Sequence, residues 1–353
     1  MKRVVIVGGG VIGLMCAVRL RLGGAQVIVL EAEREHPSVH GPIASAAAAG
    51  MLAPLERMET PHEQLAFASF DLWRTWRTGA EWADGVRFDG AVIVNADAEA
   101  AAHFQRNAQR LGRSAVPLTS SQFRKRTGLD AKLEHTLFVA DEGVADPLRV
   151  LTGLAMQARA LGVMIEFESD VASATANGVI LHDGRDCEAD VVVLAPGAWA
   201  TDKLMQAAPA LKHVRPGKGH MLAVTLQQPL APSLRAEDFY VVQRRDDVVL
   251  GATLELDRYD RAIEPARVEQ LLAAAEAVLP GEVTPTGRAW AGIRPMSPDG
   301  WPLIGPSGDG LYVAAGHSRN GWLLAPITAE IISAYVFGAE IAPEWAALSP
   351  DRV

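Results

Sequence analysis

Three glycines near the N-terminus have the spacing of a nucleotide-binding turn. Gly8, Gly10 and Gly13 form a GxGxxG pattern. In such a turn the first glycine allows a tight bend, the second lets the backbone approach a pyrophosphate, and the third lets a helix pack closely on a strand. Glu31 lies close to the expected ~20 residues downstream, where a carboxylate accepts hydrogen bonds from a ribose. The pattern predicts a site for an ADP-containing dinucleotide, and Glu31 disfavours a 2′-phosphate because like charges repel.

The residues around these glycines supply the strand and helix that the turn requires. Residues 4–7 are β-branched, as in a buried parallel strand, and apolar residues recur at helical spacing from 11 to 22. A second apolar run, 27–30, ends at Glu31. Because the N-terminus of a helix attracts phosphate, this order favours a binding turn over a glycine-rich turn without function.

A second strand, glycine turn and helix lie near the C-terminus. Residues 311–315 read as a strand, Gly316 and Gly321 enclose the turn, and an apolar helical pattern follows. This helix would point a second N-terminus at the ligand. If the ligand is a flavin, reduction leaves negative charge near N1 and the C2 carbonyl, which a helix N-terminus stabilises.

Length and composition indicate a well-packed protein of two domains. The chain has 353 residues, 49% of them hydrophobic and 21% charged. Its formal net charge of −9 gives no basic surface for nucleic acid. Cys16 and Cys187 are isolated, which argues against a metal centre and a disulfide framework. No apolar run approaches the ~20 residues of a membrane span, and glycines interrupt the N-terminal run, so we expect no integral membrane segment and a cytoplasmic location.

A change of pattern along the chain predicts the domain organisation. From residue 214 strands alternate around a polar turn at 245–247, which is typical of an antiparallel sheet. We expect an α/β, Rossmann-like nucleotide-binding domain (1–85, 141–213 and 286–353) with an inserted antiparallel-sheet α+β substrate domain (86–140 and 214–285). Helices are predicted at 62–82, 97–111, 120–126, 147–161 and 265–278. Strands are predicted at 87–95, 138–140, 163–167 and 190–199, among others.

Residues 41–54 are small and include four consecutive alanines at 46–49. Taken alone they favour a plain helix start, because alanine is the best helix former. Beside a nucleotide fingerprint we expect instead that their backbone lies flat against a large ligand.

Four motifs occur in order along the chain: the N-terminal glycine turn, SAAAAGML at 45–52, GIRPMSPDGWPLIG at 292–305 and GHSRNGWLLAP at 316–326. Together they resemble the D-amino-acid oxidase/glycine oxidase family of FAD-dependent amine oxidases, and most of all the bacterial glycine oxidases of thiamine biosynthesis. The resemblance covers the whole chain. It implies FAD as cofactor, held non-covalently because no cysteine lies near residue 320.

The resemblance also implies which residues hold FAD. Glu31 and Ala32 would lie at the ribose, residues 49–51 against the isoalloxazine, Val171 at the adenine, and residues 317–323 at the far edge of the flavin. The full set of cofactor residues expected is Gly8, Gly10, Val11, Ile12, Gly13, Glu31, Ala32, Ala44, Ser45, Ala49, Gly50, Met51, Val171, Gly197, Gly316, His317, Ser318, Arg319, Asn320, Gly321, Trp322 and Leu323.

Three residues are candidates for the substrate site. A guanidinium grips a planar carboxylate through two parallel hydrogen bonds, and the resemblance places Arg294 there, with Tyr240 beside it and Arg319 at a second substrate position. They would aim the substrate carbon at flavin N5, so no side-chain base is required. Each has an alternative: a structural arginine between loops, an ordinary strand tyrosine and a residue that holds a helix start.

Some positions differ from the family pattern. Ser318 stands where relatives often carry an aromatic residue, which would enlarge the pocket. Trp322 stands where they often carry a smaller aliphatic residue, which would refill or block it. Leu254 replaces a methionine and His220 a frequent glutamine, and we assign His220 and Lys218 no role. Glycine is therefore one expected substrate among several.

The resemblance implies oxidative deamination of glycine, sarcosine or a small D-amino acid by hydride transfer to the flavin. The products would be an imine, then a 2-oxo acid and ammonia or an amine, with hydrogen peroxide when oxygen is the acceptor. Alternatives are a dehydrogenase that passes electrons to a quinone and an oxidase of a bulkier secondary amine. A non-catalytic dinucleotide-binding protein is an alternative of another class. The family also makes a homo-oligomer an option.

Overall fold

The computed structural model describes residues 1–55, 62–95, 97–131 and 135–353. The remaining residues of the two predicted domains lie outside this description. Within it, the strands are β1 (Arg3–Val7), β2 (Gln26–Leu30), β3 (Met51–Leu52), β4 (Val86–Arg87), β5 (Ala91–Val94), β6 (Ala115–Pro117), β7 (Thr136–Val139), β8 (Gly143–Ala145), β9 (Met164–Glu166), β10 (Val171–Thr175), β11 (Gly178–Leu181), β12 (Asp186–Glu188), β13 (Val191–Leu194), β14 (Arg215–Leu226), β15 (Ser233–Arg235), β16 (Tyr240–Gln243), β17 (Val248–Gly251), β18 (Glu255–Leu256), β19 (Val283–Met296), β20 (Leu303–Pro306) and β21 (Leu311–Ala315). The α-helices are α1 (Val11–Leu22), α2 (Ala44–Ala47), α3 (Glu63–Trp76), α4 (Ala98–Arg110), α5 (Ser120–Thr127), α6 (Pro147–Ala160), α7 (Asp202–Ala207), α8 (Pro265–Val278), α9 (Gly321–Phe337) and α10 (Pro343–Ala346).

The first sheet has the order β20-β21-β13-β1-β2-β9 and is parallel except for β20. Its central strands are buried on both faces, which explains their β-branched, continuously apolar sequences. Side chains on one face of β1, such as Val4 and Ile6, pack against α1, α6 and α9. Those on the other face, such as Val5 and Val7, pack against β10–β12 and α7.

Strand β1 lies between β13 and β2, so the chain reverses its direction of travel across the sheet at β1. In open α/β sheets, ligands bind outside the carboxyl ends of the strands at such a switch point. Both predicted glycine turns follow strands of this sheet, since the first comes after β1 and the second after β21. The fold therefore brings two turns from opposite ends of the chain to one edge.

The second sheet has the order β18-β14-β17-β16-β15-β5-β7-β6, and β19 pairs with β14. Its pairs are antiparallel, as predicted, except for the parallel pair β15–β5. Strands β14 and β19 pair over nearly their whole length, from Arg215 opposite Met296 to Leu226 opposite Val283. A bridge between Met296 and His317 then joins this sheet to the second glycine turn.

The predicted domain boundary between residues 285 and 286 falls inside β19, which is one continuous strand. The boundary at 213 and 214 falls just before β14. The division into a cofactor domain and a substrate domain stays a prediction.

Several predicted elements are shorter than expected, and local backbone explains each case. The strand predicted at 87–95 is divided into β4 and β5 around Gly90, whose φ of +77° interrupts the ladder. The helix predicted at 62–82 ends at Trp76, shortly before Gly79 at φ +75°. The strand predicted at 190–199 ends at Leu194, before Pro196 and Gly197.

Two properties of the described residues concern membranes and metal ions. No helix in these ranges combines the length and apolarity that crossing a bilayer demands. Nor do the described His, Cys, Asp and Glu side chains form a group of three that could hold a metal ion.

Candidate functional site

The first glycine turn is shaped by two close backbone contacts. Gly8 has φ +105°, and a Cβ on it would lie 2.3 Å from the carbonyl oxygen of Ala195. A Cβ on Gly13 would lie 1.9 Å from the carbonyl oxygen of Gly8, so only glycine lets α1 approach the end of β1. Gly10, in contrast, meets only the Ser45 hydroxyl at 3.3 Å, which leaves backbone open to a ligand.

The N-terminus of α1 is suited to bind an anion. Its first turn reads Val-Ile-Gly-Leu, and its N-cap residue is Gly10. The backbone N–H of Val11 donates to Ser45 Oγ at 3.1 Å. Because a helix N-terminus carries partial positive charge, this end favours a phosphate group in the adjoining space.

Glu31 lies beside this turn and is 7% exposed. Its Oε2 accepts the N–H of Gly9 at 2.5 Å, and its Oε1 accepts the N–H of Glu33 at 2.9 Å. Burial raises the pKa of Glu31 above its usual value, although these two backbone hydrogen bonds lower it. A carboxylate oxygen can accept two hydrogen bonds, so both oxygens retain capacity for a ribose hydroxyl.

The second glycine turn is tied to the end of β19. Ser318, at φ +52°, donates its backbone N–H to the carbonyl of Pro295 at 2.8 Å. Its hydroxyl accepts the N–H of Ser297 at 3.2 Å and lies 3.2 Å from the Ser297 hydroxyl. The small side chain predicted to enlarge the pocket therefore joins the turn to the strand that carries Arg294.

His317 is buried and hydrogen-bonds through Nε2 to the Thr328 hydroxyl at 3.0 Å. That hydroxyl donates its own hydrogen to the carbonyl of Leu324, so it must accept from the ring. The ring of His317 therefore carries a proton on Nε2. Burial lowers its pKa to about 3, which keeps it neutral at ordinary pH.

Trp322 connects the two glycine turns. Its indole N–H donates to the carbonyl of Ser45 at 3.1 Å, while the hydroxyl of Ser45 accepts from Val11 in α1. The ring is 4% exposed and forms part of the cavity wall. Ser45, in the alanine-rich segment, thus joins the start of α1 to the start of α9.

One cavity of 410 Å³ extends along both turns. Residues 31–33 and 169–171 lie in its wall, as do residues 294–295 and 317–322 apart from Asn320. Most of the predicted cofactor residues line it: Gly8, Gly10, Val11, Ile12, Glu31, Ala32, Ala44, Ser45, Val171, Gly197, His317, Ser318, Arg319, Gly321 and Trp322.

The other predicted residues lie outside the wall of this cavity: Gly13, Ala49, Gly50, Met51, Gly316, Asn320 and Leu323. Gly50 packs against the backbone of β8, where a Cβ would lie 1.8 Å from the carbonyl oxygen of Ala145. Met51, in β3, pairs with Val144 in β8, and Leu323, on α9, is buried in the core. Their contact with the cofactor remains a prediction.

Other lining residues were missed, among them Pro42, Ile43, Ser169, Asp170, Trp199 and Thr201. Residues 195–201 follow β13, which neighbours β1 in parallel, so the shared carboxyl edge of the sheet was a usable signal. Trp199 donates its indole N–H to the carbonyl of Pro42 at 3.0 Å. Ser169 and Asp170 follow β9 across a short loop, at the same edge of the sheet.

Arg294 lies in the cavity wall and packs against two glycines of β14. It is opposite Gly217 in the β14–β19 pair, and a Cβ on Gly219 would lie 2.3 Å from its Nη1. Nη1 donates to the carbonyl oxygen of Thr253 at 3.0 Å. Burial lowers the pKa of Arg294 below its usual value, but a guanidinium still remains charged.

The two other candidates approach Arg294 from different sides. The hydroxyl of Tyr240 lies within hydrogen-bonding reach of the guanidinium, and a Cβ on Gly251 would meet it at 2.6 Å. Tyr240 lies outside the cavity wall, whereas Arg319 is exposed and lines the cavity. The charge of Arg319 also lowers the pKa of Arg294, so the two cations are close enough to repel.

These features fit a flavin dinucleotide. Two helix N-termini, α1 and α9, adjoin the same cavity, and Gly10 leaves room for a pyrophosphate beside the first. The buried carboxylate of Glu31 and the guanidinium of Arg294 both lie in its wall. Such a cavity can hold an extended ligand and present a carboxylate-binding cation beside it.

Comparison with known proteins agrees with this arrangement. The model of the FAD dependent oxidoreductase (DAO) family matches residues 3–335. The chain is 31% identical to glycine oxidase from Pseudomonas putida, over 99% of this chain and 98% of that protein. It is 32% identical to the bifunctional protein ThiO/ThiG from Synechocystis sp., over 99% of this chain but 54% of that protein, so it spans about half of this relative's length.

Solved structures give the same result for the fold. The crystal structure of glycine oxidase from Geobacillus kaustophilus superposes with a TM-score of 0.86 at 28% identity, covering 100% of both chains. L-proline dehydrogenase from P. horikoshii gives a TM-score of 0.86 at 20% identity over 99% of this chain and 97% of that one, which shows a shared fold. The predicted family, fold class and cofactor are thereby confirmed: the chain belongs to the FAD dependent oxidoreductase (DAO) family, and its cofactor is FAD.

Proposed function

We propose that this enzyme oxidises a small amino acid or amine that carries a carboxylate, with glycine, sarcosine and small D-amino acids as the first candidates. The observation that carries the proposal is the Arg294 guanidinium, which lies in the wall of the same cavity as both glycine turns. A planar fork of N–H donors at this place suits a planar carboxylate.

The roles of the protein's own residues follow from their contacts. Arg294 binds the substrate carboxylate, and Tyr240, within hydrogen-bonding reach of the guanidinium, helps to hold it in place. Arg319 adds positive charge at the same part of the cavity wall. Fixing the carboxylate restricts the substrate to orientations in which its carbon can react, and this lowers the entropic part of the barrier.

The two glycine turns, Glu31 and the alanine-rich segment around Ser45 would hold FAD, which when bound would act as the oxidant by accepting a hydride from the carbon that bears the nitrogen. The resulting imine hydrolyses in water to a 2-oxo acid and ammonia or an amine. His317 is neutral and hydrogen-bonded, so it holds the turn and transfers no proton.

Several relatives, among them the one from Pseudomonas putida, are named glycine oxidase, which puts glycine first among the candidates. Oxygen as the acceptor, with hydrogen peroxide as product, is part of the proposal. We also propose a cytoplasmic enzyme: both cysteines are free thiols, which suits a reducing compartment, and burial raises the pKa of Cys16 to about 12.

The test is anaerobic reduction of the purified, FAD-loaded protein. Glycine, sarcosine, D-alanine, D-proline and a bulkier N-alkylglycine are added in turn while the absorbance of the oxidised flavin is followed. At least one should bleach the flavin, and reoxidation by air should yield hydrogen peroxide. Bleaching by none would overturn the proposed substrate class.

A second measurement separates the acceptors. If a quinone analogue or dye reoxidises the protein much faster than oxygen does, the enzyme is a dehydrogenase and the proposed peroxide is wrong. Bleaching by the bulkier amine alone would replace glycine with the secondary-amine alternative.

A further inference from the structure

Strand β14 has two chemically different faces around residues 217–220. Gly217 and Gly219 lie on the face that receives Arg294. Lys218 and His220 alternate with them and therefore point to the opposite face, and both are 0% exposed. Two buried residues of this polarity directly behind a substrate-binding guanidinium require partners, since an unpaired buried polar group is costly.

Those partners lie in residues 252–264, which we call the strap. Lys218 Nζ donates to Asp260 Oδ1 at 2.7 Å and lies 3.3 Å from Glu264 Oε1. His220 contacts the strap near both ends: Nδ1 lies 3.1 Å from Thr253 Oγ1, and Nε2 accepts the backbone N–H of Glu264 at 3.2 Å. The side chains of Lys218 and His220 thus hold both ends of the strap against β14.

The backbone N–H of Glu264 also determines the tautomer of His220. Because Nε2 accepts that hydrogen, the neutral ring carries its proton on Nδ1. Nδ1 faces Thr253 Oγ1 at 3.1 Å and Glu255 Oε1 at 3.2 Å. The ring therefore donates toward the start of the strap and accepts at its end.

Thr253 connects this arrangement to the substrate site. Its hydroxyl accepts the backbone N–H of His220 at 3.0 Å, faces Nδ1, and lies 3.3 Å from Glu255 Oε1, to which it donates. A hydroxyl has one hydrogen and two lone pairs, so this one is fully used. The carbonyl oxygen of the same residue accepts from Arg294 Nη1 at 3.0 Å.

We propose that Thr253 and His220 are positioning residues for Arg294: the His220 ring and the Thr253 hydroxyl fix the Thr253 carbonyl, which orients the guanidinium for a substrate carboxylate. The inference rests on the proposed role of Arg294. Gly217 and Gly219 beneath the guanidinium have no side chains that could hold it. Its orientation therefore depends on Thr253 and Tyr240. A two-bond grip loses strength when the fork rotates.

The first test uses a matched pair at Thr253. Thr253→Val keeps the shape and the carbonyl but removes the hydroxyl, whereas Thr253→Ser keeps the hydroxyl. Acetate, which carries the carboxylate but no amine, is titrated into the FAD-loaded protein while its effect on the flavin absorbance is measured. We expect the Kd for acetate to rise about tenfold in the valine variant and less than about threefold in the serine variant.

The second test separates the two contacts of His220. His220→Asn places an amide N–H where Nδ1 lies and keeps the donation to Thr253, whereas His220→Gln places an amide oxygen near Nε2 and keeps the contact with Glu264. Only the glutamine variant should weaken acetate binding and raise the KM of the substrate, with a smaller change in kcat. Equal effects in both variants would overturn the role of the Thr253 contact.

Two further readouts distinguish positioning from folding. A merely structural role would lower the Tm of the valine and glutamine variants but leave the Kd for acetate unchanged, and that result would overturn the inference. The affinity for FAD should stay within about twofold in all four variants, since no substituted side chain lines the cavity. If Arg294→Ala itself leaves acetate binding unchanged, the proposed function fails; if only Arg294→Ala weakens binding, the positioning inference alone fails.

Discussion

Arg294 combines a positive charge with a planar set of donors, and these two properties can be separated by substitution. Arg294→Lys keeps the charge and loses the fork, whereas Arg294→Ala loses both. We expect the KM of a carboxylate substrate to rise about tenfold in the lysine variant and about 100-fold or more in the alanine variant. Arg124→Ala is the control, because Arg124 is an exposed residue of α5 that pairs with Asp130. An alanine variant with the KM of the parent enzyme would remove Arg294 from the site.

The buried His317 should make the free energy of unfolding depend on pH. Its pKa of about 3 in the folded protein is below the ordinary value of 6.5, because the buried ring resists charging. Between these pH values the unfolded chain binds a proton that the folded protein does not. The contribution of His317 is therefore fully present above pH 6.5 and is lost as the pH falls toward 3, by up to ~1.4 kcal/mol per pH unit.

The measurement is urea unfolding of the parent and of His317→Gln at pH 7 and pH 5. The glutamine amide can still donate to Thr328 but does not titrate, so the free energy of unfolding should fall less on acidification in the variant. The loss between the two pH values should differ by roughly 1–2 kcal/mol, which allows for a starting pKa near 6.5 in the unfolded chain. Parallel losses would show that His317 is charged or accessible at pH 5.

At the scale of the element, β14 shows why glycine is needed in a strand where it normally weakens pairing. A Cβ on Gly219 would meet Arg294 Nη1 at 2.3 Å, whereas one on Gly217 would meet Met296 Cγ at 2.6 Å and Leu254 Cδ1 at 3.1 Å. The guanidinium is the mobile end of a long side chain. It can move aside at little cost in stability but not without losing its orientation.

Gly219→Ala should therefore weaken acetate binding about tenfold or more while Tm changes little. Gly217→Ala is the matched control, two residues earlier on the same face, and should affect acetate binding less because Met296 and Leu254 bind no carboxylate. Both are measured by the flavin absorbance titration and by thermal melts. A larger effect at Gly217 would mean that the carboxylate lies beside Met296 and not beside Arg294.

Elements that the sequence predicted well depend on neighbouring residues. The β1–turn–α1 unit and α8 need only local patterns, and their bounds agree with the structure. The alternation of glycines with Lys218 and His220 in residues 217–220 gains its meaning from distant partners. Lys218 contacts the strap 42 residues along the chain, and His220 contacts it 33 and 44 residues along. Nothing in the local sequence identifies these partners, so the sequence alone assigns Lys218 and His220 no role.

The same limit applies to the candidate site. The family resemblance singles out Arg294 through the motif at 292–305, whereas the Thr253 carbonyl that binds it is a backbone atom which any residue provides. The role of Trp322 depends on Ser45, 277 residues away. Residue types predict which chemistry is present. Tertiary contacts decide how it is aimed.

At the scale of the whole molecule, the cavity joins segments from both ends of the chain, and this has a consequence for stability. A ligand that binds only the folded state stabilises it by RT ln(1 + [L]/Kd), about 2.7 kcal/mol at 100 times Kd. In the predicted placement of the cofactor, ADP would occupy only the part near Glu31, and riboflavin only the part near residues 317–322. FAD would span both, so its second half would bind at the high effective concentration that a covalent link provides.

Thermal melts of the apoprotein with each ligand at equal concentration test this continuity. The rise in Tm with FAD should exceed the sum of the rises with ADP and riboflavin, because the linked halves gain from the shared cavity while the separate ligands do not. Adding ADP and riboflavin together controls for simultaneous occupancy and should fall short of FAD. If ADP alone reproduced the whole shift, the second glycine turn would contribute nothing to holding the cofactor, and the predicted placement of the flavin beside Arg294 and Ser318 would be wrong.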